Sequence, residues 1–405
     1  MGSRRLSGPR AKIGTMSKHP SQDPVRPAEQ HTRDQRTSAS VCAIVPPYLL
    51  ERLALLDTGR LAPAAHAARG TLAHDAGFRA TAFPWTEPST TGQTALPSAG
   101  GTLVRTIGDA ASAEVLPGKI VRREGDAPTG DPATDEAYDG LGATYRLFAE
   151  VYGRNSIDGS GLGLDATVHY GHEYDNAFWD GAQMVFGDGD GEVFGRFTRS
   201  VSVIGHELTH GVTQFTAGLA YQGQSGALNE SVSDVFGVLV EQYQAGQSTA
   251  AASWLIGQGL FTAEVQGEAL RSMKAPGTAY DDDVLGKDPQ PAHMDDYVQT
   301  DADNGGVHIN SGIPNKAFYL VAAGLGGNAW ERAGAIWYRA LTDGELPATA
   351  DFATFAGRTV AAATDLFDTT AAEVVSGAWT QVGVTPGGAP DVRTAAAWVD
   401  PDVNS

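Results

Sequence analysis

The segment VIGHELTHGVTQ (203–214) contains two histidines four residues apart, with a glutamate directly after the first. Residues four apart lie on the same face of an α-helix, so His206 and His210 can direct two imidazoles at one metal ion. Glu207 lies about 100° around the helix, where it can hold a water molecule beside the metal. A catalytic zinc ion usually has a third protein ligand, so this helix predicts another ligand elsewhere. The alternative is an ordinary amphipathic helix with two surface histidines.

Two acidic residues in the next helical segment can complete such a site. Glu230 follows His210 at a distance that allows a connection and a second helix to run back alongside the first. Asp234, four residues later on the same face, can accept the second ring proton of a ligand histidine and fix its tautomer. A solvated acidic face is the alternative, but both residues lie beside the apolar run VFGVLV (235–240), which must be buried.

A further histidine and carboxylate lie in the segment DADNGGVHINSG (301–312). Gly305 and Gly306 permit a tight backbone that would bring Asp303 close to His308. A simple turn before a helix is the alternative interpretation.

Strands in the first half of the chain and helices in the second must position these residues. Apolar segments predict strands at 166–171 and 182–187, and Asp180-Gly181 predicts a tight turn before the second. The segment 131–153 predicts a helix with a capping aspartate and a proline in its first turn. Apolar residues at helical spacing predict further helices at about 202–217, 226–245, 308–324, 328–342, 351–366 and 370–382.

The segments outside these strands and helices differ from one another in amino-acid composition. Residues 1–40 are rich in Arg, Ser, Pro and Gln and predict a disordered arm. An apolar segment follows at 41–56, in which a proline pair precedes a short helix. Residues 57–100 are polar and rich in Ala, Gly and Pro, which predicts a linker, and residues 387–405 predict a loose tail.

Charge and cysteine content restrict the partners and the compartment. The 405 residues carry a net charge of −20, which argues against a nucleic-acid partner because phosphate binding relies on basic patches. No apolar run approaches the roughly 20 residues that span a bilayer. Cys42 is the only cysteine, which fits a reducing compartment, although exported proteins also occur without disulfides. The N-terminal segment contains no apolar signal region, so we expect a cytoplasmic location or export by a non-classical route.

Four separated blocks resemble the thermolysin family of zinc metalloendopeptidases over roughly residues 135–385. The blocks are NAFWDGAQMVFGDGDG (176–191), HELTHGVTQFTAGLAYQGQSGALNESVSDVFG (206–237), LRSM (270–273) and DNGGVHINSGIPNKAFYL (303–320). Further segments are most similar to the protealysin-like branch, which carries a short propeptide: VPPYLLERLA (45–54), GTAYDD (277–282) and IWYRAL (336–341).

The resemblance implies an α+β fold of the two-lobed zincin type. In this fold the zinc helix lies in the cleft between a β-rich N-terminal lobe and a mainly α-helical C-terminal lobe. The implied segments are a disordered arm (1–40), a propeptide with its linker (41–92), the β-rich lobe (93–205), the helical lobe (206–386) and a tail (387–405).

The resemblance also implies a role for each residue of the metal site. His206, His210 and Glu230 would be the zinc ligands, with Asp234 hydrogen-bonded to one of the ligand histidines. Glu207 would be the general base that takes a proton from the attacking water and delivers it to the leaving amine.

Other implied roles concern the transition state and the substrate. His308 and Tyr221 would hydrogen-bond the developing oxyanion, and Asp303 would orient the histidine. The implied substrate-binding positions are Asn176, the backbone of Ala177, Arg271 and the apolar wall residues Phe194, Phe197, Val203 and Leu270. This set predicts cleavage on the N-terminal side of bulky hydrophobic residues, while simple core packing is the alternative for the wall.

The family's double calcium site is predicted to be lost. Glu241 remains, but the other positions are occupied by Ser202, Ser253, Leu255 and Gln258. Calcium takes six to eight oxygen ligands, among which carboxylates are prominent. The segment GDGDG (187–191) resembles a calcium loop, but a glycine-rich turn at the end of a strand is favoured.

By the same resemblance, an N-terminal propeptide packs against the catalytic domain as an intramolecular inhibitor and is then cut within 57–100. Its key residues are Cys42, Pro46, Pro47 and Tyr48. We hypothesise that the Cys42 thiolate reaches the zinc and blocks the open coordination position, with a small buried hydrophobe as the alternative. The expected partners are protein and peptide substrates and the propeptide itself, with no membrane.

The alternative function is a catalytically silent metal-binding scaffold with the same fold. Casein hydrolysis with and without a zinc chelator distinguishes this scaffold from a peptidase. A zinc aminopeptidase fits less well, because no Gly-x-Met-Glu-Asn block precedes the zinc helix.

Overall fold

A mixed six-stranded sheet dominates the first half of the protein. The computed structural model describes residues 42–56, 59–80 and 101–387. The strands of this sheet are β1 (Cys42–Ala43), β2 (Arg105–Asp109), β3 (Lys119–Arg123), β4 (Leu164–Val168), β5 (Ala177–Trp179) and β6 (Met184–Phe186). Their spatial order is β1-β5-β6-β4-β2-β3, so β1 forms an edge beside β5. The strands predicted at 166–171 and 182–187 are confirmed as β4 and β6, each shorter than expected.

A tight turn connects β5 to β6. The carboxylate of Asp180 accepts hydrogen bonds from the backbone N–H groups of Ala182 and Gln183, both at 2.8 Å. Gly181 adopts a φ of 100°, a backbone conformation that glycine tolerates without steric cost. The predicted turn is therefore confirmed, and it holds β5 next to the edge of the sheet.

Helices make up most of the second half. The helices of the described chain are α1 (Pro47–Ala54), α2 (Ala62–Ala80), α3 (Pro132–Arg146), α4 (Val201–Gln214), α5 (Gly223–Ala245), α6 (Asp303–Asn310), α7 (Gly312–Leu325), α8 (Ala333–Thr342), α9 (Phe352–Leu366) and α10 (Thr369–Gln381). Two small antiparallel sheets pair β7 (Leu255–Ile256) with β8 (Arg271–Ser272), and β9 (Asp281–Asp282) with β10 (Gly286–Lys287). A sheet followed by helices confirms the predicted α+β class.

Helices α4 and α5 cross closely because two glycines face each other. A Cβ atom at Gly205 would lie 3.1 Å from the Cα atom of Gly237, and one at Gly237 would lie 2.4 Å from the carbonyl oxygen of Ser202. Only hydrogen at these positions permits this approach. The crossing brings the polar residues of α5 against the histidines of α4.

The segment before the sheet is more ordered than its composition predicted. Residues 57–100 were expected to be a linker, but Ala62–Ala80 forms α2. The reason is that alanine has the highest helix propensity, and small side chains allow α2 to pack closely on α1. The buried residues of this contact include Leu49, Leu50, Leu53, Ala64 and Ala68.

Several expectations fall outside the described residues. The predicted arm at 1–40 and nearly all of the tail at 387–405 belong to this group. Within the described part of the chain, no helix combines the length and apolarity needed to cross a membrane.

Candidate metal centre

Three side chains from α4 and α5 converge in a buried cluster. The Nε2 atoms of His206 and His210 are 3.0 Å apart. The carboxylate oxygens of Glu230 lie 3.6 Å from His206 Nε2 and 3.7 Å from His210 Nε2. His206 and Glu230 are fully buried and His210 is nearly so. The structure thus brings together the three residues that the sequence suggested as ligands.

Hydrogen bonds fix the tautomers of both histidines. His206 Nδ1 lies 2.8 Å from Oδ1 of Asp234, and His210 Nδ1 lies 2.9 Å from Oδ1 of Asn229. Because these oxygens accept hydrogen bonds, both Nδ1 atoms carry the ring protons. The two Nε2 atoms, with their lone pairs free, therefore lie 3.0 Å apart, an arrangement that suits a cation bound by both.

The carboxylate of Glu230 completes the donor set. Its Oε2 atom is buried and has no hydrogen-bond partner among the residues that the structure describes. Burial alone would raise the pKa of Glu230, but His308, His210 and His206 outweigh it and lower the pKa to about 2. Burial also lowers the pKa of His210 to about 4, which keeps the imidazole in its neutral, metal-binding form. Two imidazole nitrogens and one carboxylate fit a zinc ion.

Glu207 is positioned as a proton acceptor beside this donor set. Its Oε2 atom accepts a hydrogen bond from the backbone N–H of Trp179 at 3.1 Å. Its buried Oε1 atom has no hydrogen-bond partner within the described ranges of the chain. Burial, followed by the negative charge of Glu230, raises the pKa of Glu207 well above its ordinary value. A raised pKa suits a general base that works near neutral pH.

His308, Asp303 and Tyr221 form a second polar group next to the metal site. His308 Nδ1 lies 2.7 Å from Oδ1 of Asp303, and Tyr221 Oη lies 3.3 Å from His308 Nε2 and donates to Glu230. Left-handed backbone at 303–306 allows the side chain of Asp303 to turn back to His308, as the glycine pair predicted. Burial would lower the pKa of His308, but Asp303 and Glu230 raise it to about 8.

The predicted substrate-binding edge contacts the chain's own residues Ile44 and Val45. Ile44 N–H donates to the carbonyl of Ala177 at 3.1 Å, and Arg271 Nη1 donates to the carbonyl of Ile44 at 3.1 Å. Val45 N–H donates to Oδ1 of Asn176 at 2.9 Å, and Asn176 Nδ2 donates to the carbonyl of Val45 at 3.3 Å. Every polar group predicted to hold a peptide thus holds residues 44–45.

Arg271 also joins this edge to the metal site. Its guanidinium donates to both carboxylate oxygens of Asp234, at 2.9 and 2.8 Å. Asn315 Nδ2 donates to the same carboxylate at 2.8 Å. Burial would raise the pKa of Asp234, but Arg271 and His206 lower it. Asn229 and Asn315 were not among the predicted site residues, although both lie inside the blocks that resemble the family.

The four residues predicted as an apolar wall are all buried. They are Phe194, Phe197, Val203 and Leu270, and they belong to the same hydrophobic core as Ile44. The ring centroids of Phe194 and Phe197 lie 5.8 Å apart.

The thiol of Cys42 lies inside the metal site. Its Sγ atom is 2.7 Å from Oε1 of Glu230, 2.8 Å from Tyr221 Oη and 3.9 Å from His308 Nε2. The ligating atoms of Cys42, His206, His210 and Glu230 all lie within 4.8 Å of one another. Burial, and then the negative charge of Glu230, raises the pKa of this thiol.

Two acidic residues that could have served a calcium site, Asp190 and Glu241, are hydrogen-bonded to the protein itself. Asp190, in the glycine-rich segment 187–191, accepts hydrogen bonds from three successive backbone N–H groups at 192–194. This geometry matches the predicted turn. Burial raises the pKa of Glu241, the remaining acid of the double calcium position, while a hydrogen bond from Ser202 opposes the rise.

Two family models match consecutive parts of the chain. Residues 106–214 match the thermolysin metallopeptidase catalytic domain, and residues 217–384 match the thermolysin metallopeptidase alpha-helical domain. The chain belongs to the thermolysin family. This family is zinc-dependent, and membership makes the chain a metalloendopeptidase, as the sequence blocks predicted.

Individual members of the thermolysin family agree with this assignment. The chain is 52% identical to an extracellular metalloprotease of Pectobacterium carotovorum subsp. carotovorum, over 86% of this chain and 97% of that one. It is 43% identical to thermolysin of Alicyclobacillus acidocaldarius, over 63% of this chain and 46% of that one. The solved precursor of protealysin, a metalloproteinase from Serratia proteamaculans, aligns with a TM-score of 0.77 and 53% identity, over 85% of this chain and 100% of that one.

The names of these thermolysin-family relatives correct the expected location. We expected a cytoplasmic protein or export by a non-classical route, and that expectation is wrong. The Pectobacterium relative is named an extracellular metalloprotease, which points to an exported protein. The N-terminal residues on which the expectation depended lie outside the described ranges.

Proposed function

We propose that this metalloendopeptidase is made as a precursor whose residues 42–45 occupy the catalytic cleft. Once they leave, the enzyme would cut peptide bonds on the N-terminal side of bulky hydrophobic residues. The observation that carries the proposal is the hydrogen bonding of Ile44 and Val45 to Asn176, Ala177 and Arg271. A peptide added to a sheet edge in this way is a common mode of peptide recognition.

His206, His210 and Glu230 would hold the zinc ion. When bound, zinc polarises a carbonyl group and activates water. Glu207 would take a proton from the attacking water and pass it to the leaving nitrogen. Its buried Oε1 atom, which no described residue engages in a hydrogen bond, and its raised pKa support this role.

A second group of residues would stabilise the transition state. Tyr221 Oη and His308 Nε2 would donate hydrogen bonds to the oxyanion that develops on the scissile carbonyl. The carboxylate of Asp303 would hold the His308 ring in its donating orientation, which the 2.7 Å hydrogen bond supports. Asp234 would hold the His206 ring in the same manner.

The preference for a bulky hydrophobic residue follows from the register of the bound segment. Ile44 is fully buried in the core that contains Phe194, Phe197, Val203 and Leu270. A substrate side chain in the same position would leave water, which contributes roughly 1.5–3 kcal/mol of binding free energy.

The N-terminal segment would inhibit the enzyme at two levels. Cys42 would act as a fourth zinc ligand and fill the coordination position that water needs, and its distances to the other ligands support this. Pro46, Pro47 and Tyr48 would anchor α1, whose Arg52 donates to backbone carbonyls at 283 and 284. The related protealysin structure is that of a precursor.

The proposed division of the chain follows the lobes expected from the sequence. Residues 93–205 would form the β-rich lobe and 206–386 the helical lobe, with the propeptide ending before 93. Because α2 extends to Ala80, the processing cut predicted within 57–100 would fall outside this helix. The double calcium site would be lost, since Ser202 donates to Glu241 and also accepts from the N–H of Gly257 at 3.2 Å.

Casein hydrolysis by the processed protein tests the proposal. We expect hydrolysis that a zinc chelator stops and added zinc restores. Glu207→Gln should lower kcat by about 10²–10⁴-fold while zinc remains bound at one ion per chain. Full activity of Glu207→Gln would contradict the assignment of Glu207 as the general base. Normal zinc content without any hydrolysis by the wild type would support the silent scaffold, which no observation favours.

A further inference from the structure

The segment in the cleft lies in the register of a substrate. In the antiparallel pair of β1 and β5, Cys42 lies opposite Trp179 and Ala43 lies opposite Phe178. Ile44 continues the ladder through its N–H bond to the carbonyl of Ala177. The chain therefore runs along the edge strand without a bulge, as an extended peptide would.

The peptide bond between Ala43 and Ile44 follows the residue whose thiol lies in the metal site and precedes the nitrogen that donates to Ala177. On its N-terminal side, the Cys42 thiol lies among the metal-binding atoms. On its C-terminal side, the Ile44 nitrogen and carbonyl are held by Ala177 and Arg271. Glu207 accepts the N–H of Trp179, the residue opposite Cys42, so the proposed general base lies near the N-terminal end of the same segment.

The residue types around this bond match the proposed specificity. Ile44, directly after the bond, is a bulky hydrophobic residue that is fully buried, and Ala43 before it is small. The register of the segment, the position of Glu207 and the residue types on either side therefore all favour hydrolysis at this bond. The feature that opposes it is the Cys42 thiol, which lies among the atoms that would bind the zinc ion.

We propose that Ala43–Ile44 is a latent self-cleavage site that the Cys42 thiol protects. This inference rests on the proposed function. Without the thiol, water would enter the vacated position, and its oxygen would bond to the carbonyl carbon of Ala43. The C–N bond would then break, and a proton passed through Glu207 would go to the Ile44 nitrogen. The products are a carboxylate at Ala43 and an amine at Ile44, with water as the only other reactant.

The test uses the full-length Cys42→Ala precursor, loaded with zinc. Intact mass and N-terminal sequencing of this protein are the measurements. We expect a new N-terminus at Ile44 that forms at least tenfold faster than in the wild type. The rate should not depend on protein concentration, because the cut is intramolecular. The matched control is Cys42→Ala with Glu207→Gln, which should remain uncut at this bond.

A spectroscopic measurement tests the thiol without relying on activity. In the Glu207→Gln precursor loaded with cobalt(II), a thiolate ligand produces a sulfur-to-metal charge-transfer band in the near ultraviolet. We expect this band, and we expect Cys42→Ala in the same background to lack it. Absence of the band from the Cys42 protein would overturn the proposed protection.

The remaining outcomes separate this inference from the proposed function. If Cys42→Ala hydrolyses casein but leaves Ala43–Ile44 intact, the inference is wrong and the proposed function stands. Equal cutting of the wild type and Cys42→Ala would also overturn it. If the processed wild type hydrolyses no casein with zinc bound, the proposed function fails and the inference fails with it.

Discussion

The Nδ1 atom of His206 lies 2.8 Å from the Oδ1 atom of Asp234, a residue on the neighbouring helix α5. The same carboxylate accepts two hydrogen bonds from Arg271 and one from Asn315. It is therefore held in place from three directions, and it in turn fixes the orientation of a metal-binding imidazole.

Asp234→Asn should weaken zinc binding by roughly 10–100-fold, because the amide loses the charge that orients His206 and makes it more basic. Competition with a chelator of known zinc affinity measures this change. Ser233→Ala is the matched control. The Ser233 hydroxyl lies 3.1 Å from His210 Nδ1, and that nitrogen keeps its hydrogen bond to Asn229 when the hydroxyl is removed. Unchanged zinc affinity in Asp234→Asn would contradict this prediction.

Tyr221→Phe in the processed enzyme should lower kcat by about 10²–10³-fold and change KM little, because the phenol donates mainly to the developing oxyanion. Steady-state kinetics on a peptide with a leucine after the cleaved bond provide the measurement. Tyr319→Phe, on α7, controls for loss of a hydroxyl elsewhere. A rise in KM at constant kcat would instead assign Tyr221 to ground-state binding.

Gly237→Ala should destabilise the protein by about 1–3 kcal/mol, because the new Cβ atom would lie 2.4 Å from the carbonyl oxygen of Ser202. Gly377→Ala in α10 is the matched control, since a Cβ atom there meets nothing within 4 Å in the described part of the chain. The control should stabilise by about 0.4–1 kcal/mol through the unfolded state. Urea unfolding measures both, and equal effects would refute the close helix crossing.

His169 should make stability depend on pH. Its ring lies 2.8 Å from Asp188 and 3.2 Å from Asp131. Burial lowers the pKa of His169, but these two carboxylates outweigh it and raise the pKa. Because the folded pKa is raised, the stabilisation is present below the unfolded value of about 6.5 and is lost as pH rises through the folded value.

His169→Asn removes this titration and tolerates the left-handed backbone at that position, where φ is 53°. We expect it to lower the free energy of unfolding by roughly 0.5–1 kcal/mol near pH 6 and by less near pH 9. Denaturant unfolding at the two pH values is the measurement. A larger loss of unfolding free energy at the higher pH would contradict the raised pKa of His169.

Added calcium should leave the thermal unfolding midpoint of the zinc-loaded protein unchanged. The reason is that Glu241 is the remaining acid of the double calcium position, and hydroxyl or apolar side chains replace the others. A ligand that binds the folded state raises the midpoint in proportion to the logarithm of its concentration. A rise in the unfolding midpoint that grows with calcium concentration, and that magnesium does not reproduce, would show that a calcium site is present.

The sequence alone determined the parts of the site that depend on local geometry. The four-residue spacing of His206 and His210 places both rings on one helical face wherever that helix packs. The turn at Asp180-Gly181 and the return of Asp303 to His308 also follow from a few neighbouring residues. Most helices after residue 200 could be predicted because their apolar spacing is regular, but the helix expected at 308–324 is divided between α6 and α7, and the one expected at 328–342 begins at Ala333.

Only the tertiary structure decided which distant groups meet. Cys42 and Glu230 are separated by 188 residues, yet their side chains lie 2.7 Å apart because β1 pairs with the edge of the sheet at β5. An edge strand offers the same N–H and C=O groups to any extended segment, so local propensity cannot specify which segment binds or in what register. The helix α2 was missed for a related reason: alanine has the highest helix propensity, but an isolated helix is only marginally stable in water until it packs against a partner such as α1.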